Sequence, residues 1–139
     1  MQTIVPMLAY EDGVAAIEWL ERAFGFRENR EARHMHDGTL AHAELDVGDG
    51  SVVFLATPTP EYQGPKRHRE SCETARRWQD NPWAVDGLMV QVSDVDAHAD
   101  RARSAGATLL RGPEDVAGVG RLYTAEDGEG HRWMFVEPR

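Results

Sequence analysis

The chain has 139 residues, 41% of them hydrophobic, and a formal net charge of −9, enough for one domain or two small halves sharing a core. No apolar run approaches the roughly 20 residues of a membrane helix, no charged-then-apolar leader opens the chain, and the single cysteine, Cys72, excludes an internal disulfide framework and a thiolate zinc cluster. These features imply a cytoplasmic protein without membrane contact, and the acidic balance disfavours nucleic acid and favours cationic ligands, although the same charge also serves solubility alone.

Residues 3–10, TIVPMLAY, read as a strand. DGVAAIEWLERAFG (12–25) reads as a helix with Asp12 as N-cap, Gly25 as stop, and an apolar stripe of Ala16, Trp19, Leu20 and Ala23. FRENREARH (26–34) reads as a polar strand, and Asp37-Gly38 is a hairpin signal. TLAHAELDV (39–47) alternates strictly, with Ala41, Ala43, Leu45 and Val47 on one face; after GDG, SVVFLAT (51–57) is an apolar strand. Residues 58–84 form a proline-bearing connection with the basic run KRHR (66–69) and a segment, ESCETARRWQ, suited to a short helix. The order then recurs: a strand at 87–93, a helix at 94–106 capped by Asp94, and strands at 107–113, 120–126 and 131–137.

The recurrence has a register. Asp12 and Asp94 stand 82 residues apart, as do Gly38 and Gly120, Leu40 and Leu122, Glu44 and Glu126, and Gly48 and Gly130. Such an offset across caps, strands and turns marks an internal repeat. Neither half buries both faces of its sheet alone, so the two should pair.

Three stretches, YEDGVAAIEWLERAFGF, VQVSDVDAHADRARSAGATLL and AEDGEGHRWMF, taken in order with this repeat, resemble the vicinal oxygen chelate superfamily: glyoxalase I, extradiol dioxygenases, and the fosfomycin- and bleomycin-resistance proteins, with a PhnB-like flavour. The last stretch is similar to the ending D-P-x-G-h-x-W/E-x-F, with Gly128 where proline is common. The resemblance implies an α+β fold of two paired βαβββ modules, residues 1–57 and 85–139 joined by 58–84, forming a curved mixed sheet. Helices would cover its convex face and a ligand cup its concave face. The family's metal enzymes take ligands from the first and fourth strands of each module. The matching positions here are Val5 and Gly87, and Val52 and Met134; Pro6 and Leu88, one residue on, are no better. None offers imidazole or carboxylate, so neither metal nor cofactor is expected. His131 lies three residues from Met134, which points it to the opposite face of a strand and makes it a turn or surface residue.

His42 and Glu44 share a strand face with Leu40, and their repeat equivalents are Leu122, Thr124 and Glu126. A two-residue turn at Asp37-Gly38 would set Arg33 across from His42 and Glu31 across from Glu44. Such a face could bind a polar ligand or transfer protons, or be a solvated sheet with cross-strand ion pairs. His34 and His36 also share a face, but beside a turn. Val52, Phe54 and Met134 should form the cup floor. Trp19 and Trp133 fall in the core, whereas Trp78 and Trp83, flanking the connection, suit an interface or a stacking wall for a planar ligand. Cys72 has Arg76 one helical turn away and reads as a free surface thiol rather than a nucleophile.

The reading is a homodimeric, metal-free protein of the glyoxalase/bleomycin-resistance type. It would bind and sequester a small organic molecule, a cationic one by charge, through His42, Glu44, Val52, Phe54, Leu122, Thr124, Glu126, Met134, Trp78 and Trp83. Two alternatives stay open: a glyoxalase- or dioxygenase-like enzyme with non-standard ligands such as His42 and Glu44, and an interaction module without a ligand.

Overall fold

In the computed structural model, which describes residues 2–138, both helix caps form as spacing predicts. Met1 and Arg139, the outer bounds of the two expected modules, lie outside the described residues. After strand β1 (Met7–Ala9), Asp12 caps helix α1 (Gly13–Phe24), its carboxylate accepting from the Ala15 amide. Gly25 ends the helix at φ 72°, a left-handed conformation that costs glycine nothing in Cβ clash. The first half continues with β2 (Arg27–Glu28), β3 (His34–His36), β4 (Thr39–Gly48) and β5 (Ser51–Ala56). Two short helices follow, α2 (Pro65–Ser71) and α3 (Glu73–Trp78). The second half contains β6 (Gly87–Gln91), α4 (Val95–Ser104) capped by Asp94, β7 (Thr108–Val116), β8 (Gly120–Glu126) and β9 (Arg132–Pro138).

The strands form two mixed sheets. One has the order β1-β5-β4-β2 with β3 also on β4; the other has the order β6-β9-β8-β7. In each, the first strand runs parallel to the last and the remaining pairs are antiparallel. Residues 26–34 are not one strand. The Arg33 guanidinium forks onto the buried Glu28 carboxylate through two bonds of 2.7 Å, which doubles the segment back through a 3₁₀ turn at Arg30–Ala32.

Asp37 and Gly38 turn at φ 50° and 76°, as their residue types require. The pairing beyond them differs from strict alternation. Met35 pairs with Leu40, but His34 pairs with His42, so Ala41 is an extra residue in the ladder, a β-bulge. The bulge puts Leu40 on the same face as Ala43 and Leu45, and all three are buried. Leu40 therefore packs under α1, where a Cβ on Gly13 would stand 2.4 Å from its Cδ2, and Ala41 is exposed. His42 accordingly faces His34 rather than Arg33, and the amide of Asn29, not Glu31, bonds Glu44 across the ladder.

The repeat is not uniform either. Met7 pairs with Phe54, which pairs with Glu44; Met89 pairs with Met134, which pairs with Thr124. Between these rows the first strands differ by 82 residues, but the hairpin strands differ by 80. Gly48-Asp49-Gly50 thus matches Gly128-Glu129-Gly130. The shift is even, so facing is preserved, but Met134 corresponds to Phe54, and Val52 to Arg132.

Both halves feed one apolar cluster, in which Phe24 and Phe26 of the first half meet Trp133 and Phe135 of the second. Trp19 sits at its edge and donates its indole N–H to the Ala105 carbonyl, while Arg101 donates to the carbonyls of Glu21 and Arg22 at the end of α1. His98 lies between the helices, bonded to the Phe24 carbonyl and the Tyr123 hydroxyl. Burial holds its pKa below the ordinary histidine value, with the Phe24 carbonyl opposing and Arg101 adding to the shift. A depressed histidine is neutral when folded, so its contribution is intact above about pH 6.5 and is lost as pH falls through that value. Urea unfolding from pH 7.5 to 5.5 should show stability declining toward acid, with a shallower slope in His98→Gln.

Candidate functional site

On the face of the second sheet away from the helices, ladder partners stand in three rows. Gly87, Arg132, Glu126 and Thr108 form the first; Met89, Met134, Thr124 and Arg111 the second; Gln91, Val136, Leu122 and Glu114 the third. A cavity of about 620 Å³ opens over the middle of this face, walled by Met89, Leu122, Thr124 and Met134 from the sheet and by Trp83 and Val119 from flanking loops. Met89 and Trp83 are 62% and 66% exposed, far more than large apolar groups are when they serve only a core. Trp133, by contrast, is buried in the core.

Beside this cavity, Glu126 is buried between two guanidiniums. Arg69 forks onto it at 2.5 and 3.0 Å, and Arg132 donates through Nε at 3.2 Å. Arg132 also donates to the carbonyls of Asn81 and Gln79, pinning the segment that carries Trp83 onto the sheet. Glu126 is thus neutralised within the chain and is no free acceptor for a cation.

The first sheet carries the rest of the expected set. His42 Nε2 lies 3.3 Å from Glu44 Oε1, both side chains about one-third exposed, with Phe54 edge-on to His42 and Val52 bound through its backbone to the Gln2 side chain. None of these residues lines the 620 Å³ cavity. Within one chain, the structure brings together Leu122, Thr124, Met134 and Trp83. It leaves His42, Glu44, Val52 and Phe54 on the other sheet, puts Glu126 behind Arg132, and leaves Trp78 exposed beside His68. His34 and His36 are exposed, and His36 meets only Asp37. Among the described residues no cluster of three or more His, Cys, Asp or Glu side chains is placed to hold a metal ion.

The turn between β8 and β9 ties the halves together. Asp127, buried, accepts from the Tyr10 hydroxyl at 2.6 Å, the Trp133 indole at 3.0 Å, and the amides of Glu129 and His131. Glu129 accepts from the amides of Glu11 and Asp12 at the start of α1, yet burial raises its pKa. Burial and the neighbouring Asp127 raise that of Tyr10. His131 is half-buried rather than a surface residue; its Nε2 donates to the Ala9 carbonyl at 2.7 Å and its ring abuts Tyr10. This is a structural clasp, and Gly130 is essential to it: at φ 92°, a Cβ there would stand 2.6 Å from the Lys66 amide.

Met89 and Arg132 were findable from sequence, since each lies two residues from a position already placed on this face. Arg69 and Gln79 come from α2 and the end of α3, and no periodicity announces them.

The model of the Glyoxalase/Bleomycin resistance protein/Dioxygenase superfamily matches residues 4–135. This chain belongs to that superfamily. An uncharacterized protein of Mycobacterium bovis is 31% identical over 137 residues, covering 96% of this chain and 81% of the relative. Among solved structures, TioX from Micromonospora sp. ML1 is 34% identical, covers 96% of this chain and 94% of its own, and superposes with a TM-score of 0.69. TnmS3, an antibiotic-binding protein from Streptomyces sp. CB03234, shares the fold at 17% identity, full coverage of both chains and a TM-score of 0.63. Among the described residues of this superfamily member, no helix is long and apolar enough to cross a membrane.

Proposed function

We propose that this superfamily member binds and sequesters a small, planar organic molecule rather than transforming one. The observation that carries this reading is the cavity over the second sheet. It is of ligand size, its walls are mostly apolar, and Trp83 stands exposed at its side as a stacking surface. The family's ligand positions, corrected for register, are Val5, Phe54, Gly87 and Met134, and none can hold a metal. The fold serves antibiotic binding in TnmS3, which makes an antibiotic-like ligand a fitting first class to screen. The chain acts as a homodimer in this reading, with the first sheet's His42, Glu44, Val52 and Phe54 of one copy facing the second sheet's cavity of the other.

Titration with a panel of planar antibiotics should quench tryptophan fluorescence in the native chain. Trp83→Ala should weaken binding about tenfold while leaving the melting temperature within a few degrees, because the residue is exposed; light scattering at micromolar concentration should give twice the chain mass. A panel without any binder, or a monomer mass throughout, would overturn the reading. Elemental analysis after dialysis should find far less than one Zn, Ni, Fe or Mn per chain. A stoichiometric ion would favour the enzyme alternative through His42 and Glu44.

A further inference from the structure

The apolar cavity does not end at its own walls. Arg132 and Pro82 are shared with a second cavity of about 310 Å³, into whose walls Arg69, Arg76, Gln79 and Glu126 also enter. We propose that this polar chamber takes the oxyacid end, a carboxylate or a phosphate monoester, of the ligand whose apolar body fills the larger cavity. The inference rests on the binding function proposed above and names the chemistry of its ligand.

Three observations support it. First, charge does not balance where water is scarce. Arg132 and Glu126 are each 4% exposed, and Arg69 brings a second guanidinium to the same carboxylate. Two cations face one anion, and a buried surplus charge is unfavourable until something pairs with it. Asp80 also borders the chamber and Glu73 binds Arg76 from outside, but both are exposed to solvent and screened.

Second, the guanidiniums have donors left over. Each carries five N–H groups. Arg69 uses two on Glu126, Arg76 two on Glu73, and Arg132 three on Glu126, Asn81 and Gln79. The forked geometry of the remainder suits an oxyacid group, which can accept several charge-assisted bonds at once.

Third, Gln79 is 4% exposed and its Oε1 finds no hydrogen-bond partner among the described residues. A buried carbonyl without a donor is disfavoured. An O–H or N–H adjoining the oxyacid, such as the hydroxyl of a monoester phosphate or an amide beside a carboxylate, satisfies it. The chain's net charge of −9 repels anions at long range, so recognition has to be local, as this chamber makes it. Glu126, which the sequence suggested as a counter-charge for a cation, works here as the group that holds Arg69 and Arg132 in place.

The test is calorimetric titration of the full chain with three indole probes alike in body but not in end group: indole-3-acetate, indole-3-acetamide and tryptamine. Inorganic phosphate serves as competitor. The acid should bind at least about tenfold more tightly than the amide, with the amine weakest, and phosphate should displace the acid but not the amide. Arg76→Gln, which disturbs only an exposed pair, and Arg69→Gln should each remove most of the acid's advantage. Gln79→Leu should weaken acid and amide unequally, because both offer acceptors but only the amide keeps a donor at pH 7. If the amide or the amine binds as tightly as the acid, or the acid's advantage survives both arginine variants, the chamber assignment is overturned and the apolar cavity stands. If no probe binds a chain that melts cooperatively, both fall.

Discussion

Replacing Asp127 by alanine should destabilise the chain by about 3–5 kcal/mol, because the change leaves a buried hydroxyl, an indole N–H and two amides without their shared acceptor. At this chain length that corresponds to a fall in melting temperature of roughly 10 °C. The effect is large because the four donors come from both halves of the fold: Tyr10 follows β1, while Trp133 and the turn belong to the second sheet. Asp127→Asn should be milder, near 2 kcal/mol, since one oxygen can still accept while its amide nitrogen faces donors. Tyr10→Phe, which removes a single bond, should cost about 1 kcal/mol. Glu73→Ala, which breaks only an exposed pair three residues apart on α3, should stay within about 0.5 kcal/mol. Urea unfolding of the four variants gives the ordering directly. An Asp127→Ala chain within 1 kcal/mol of the parent would mean that the clasp does not hold the halves together.

The same turn shows how far sequence reasoning carries. The fold was legible because its signals are local and redundant: Asp12 and Asp94 cap helices, Asp37-Gly38 turns, and apolar residues recur with the period of the element that holds them. Face assignment was legible for Met134 and Trp133 because period two is insensitive to a slip of two residues. It failed at Leu40, since one bulged residue, Ala41, inverts the alternation, and a bulge has no composition of its own at an alanine. The offset of the hairpins was misread by two because Gly48 was matched with Gly130, although the GDG and GEG tripeptides align glycine for glycine. A tripeptide match constrains register more than one glycine does.

The candidate site was half legible. Alternation placed Leu122, Thr124 and Met134 on the open face, and loop composition singled out Trp83. What it could not supply was the covering layer. The helices of the connection bring Arg69 and Gln79 against the sheet from far along the chain, and their contacts depend on how residues 58–84 pack rather than on any pattern within them. That layer reverses the sign of the local electrostatics: read alone, Glu126 is an exposed carboxylate in an acidic protein; under two arginines it is the smaller part of a cationic cluster.

Arg132→Met should separate what this layer does for stability from what it does for binding. Methionine keeps most of the stem's apolar volume and loses every donor. Glu126 then retains only Arg69, and the carbonyls of Asn81 and Gln79 lose the guanidinium that holds them to the sheet. The expected cost is about 3–4 kcal/mol, the range for breaking one side of a buried pair. The segment bearing Trp83 should loosen, seen as a tryptophan emission shifted toward that of an exposed indole and as faster amide exchange over residues 79–84. Adding Glu126→Leu should recover about half of the lost stability, because the orphaned carboxylate is removed and an apolar pair can fill the space. The two changes are therefore expected to be non-additive by 1 kcal/mol or more in a double-mutant cycle. Binding should not recover with stability, since the double variant lacks Arg132 and has nothing to hold Arg69 over the sheet. A double variant that regains both would place the ligand site away from this face; one that regains neither would mean that Arg132 acts through the carbonyls of residues 79 and 81 alone, and not through Glu126.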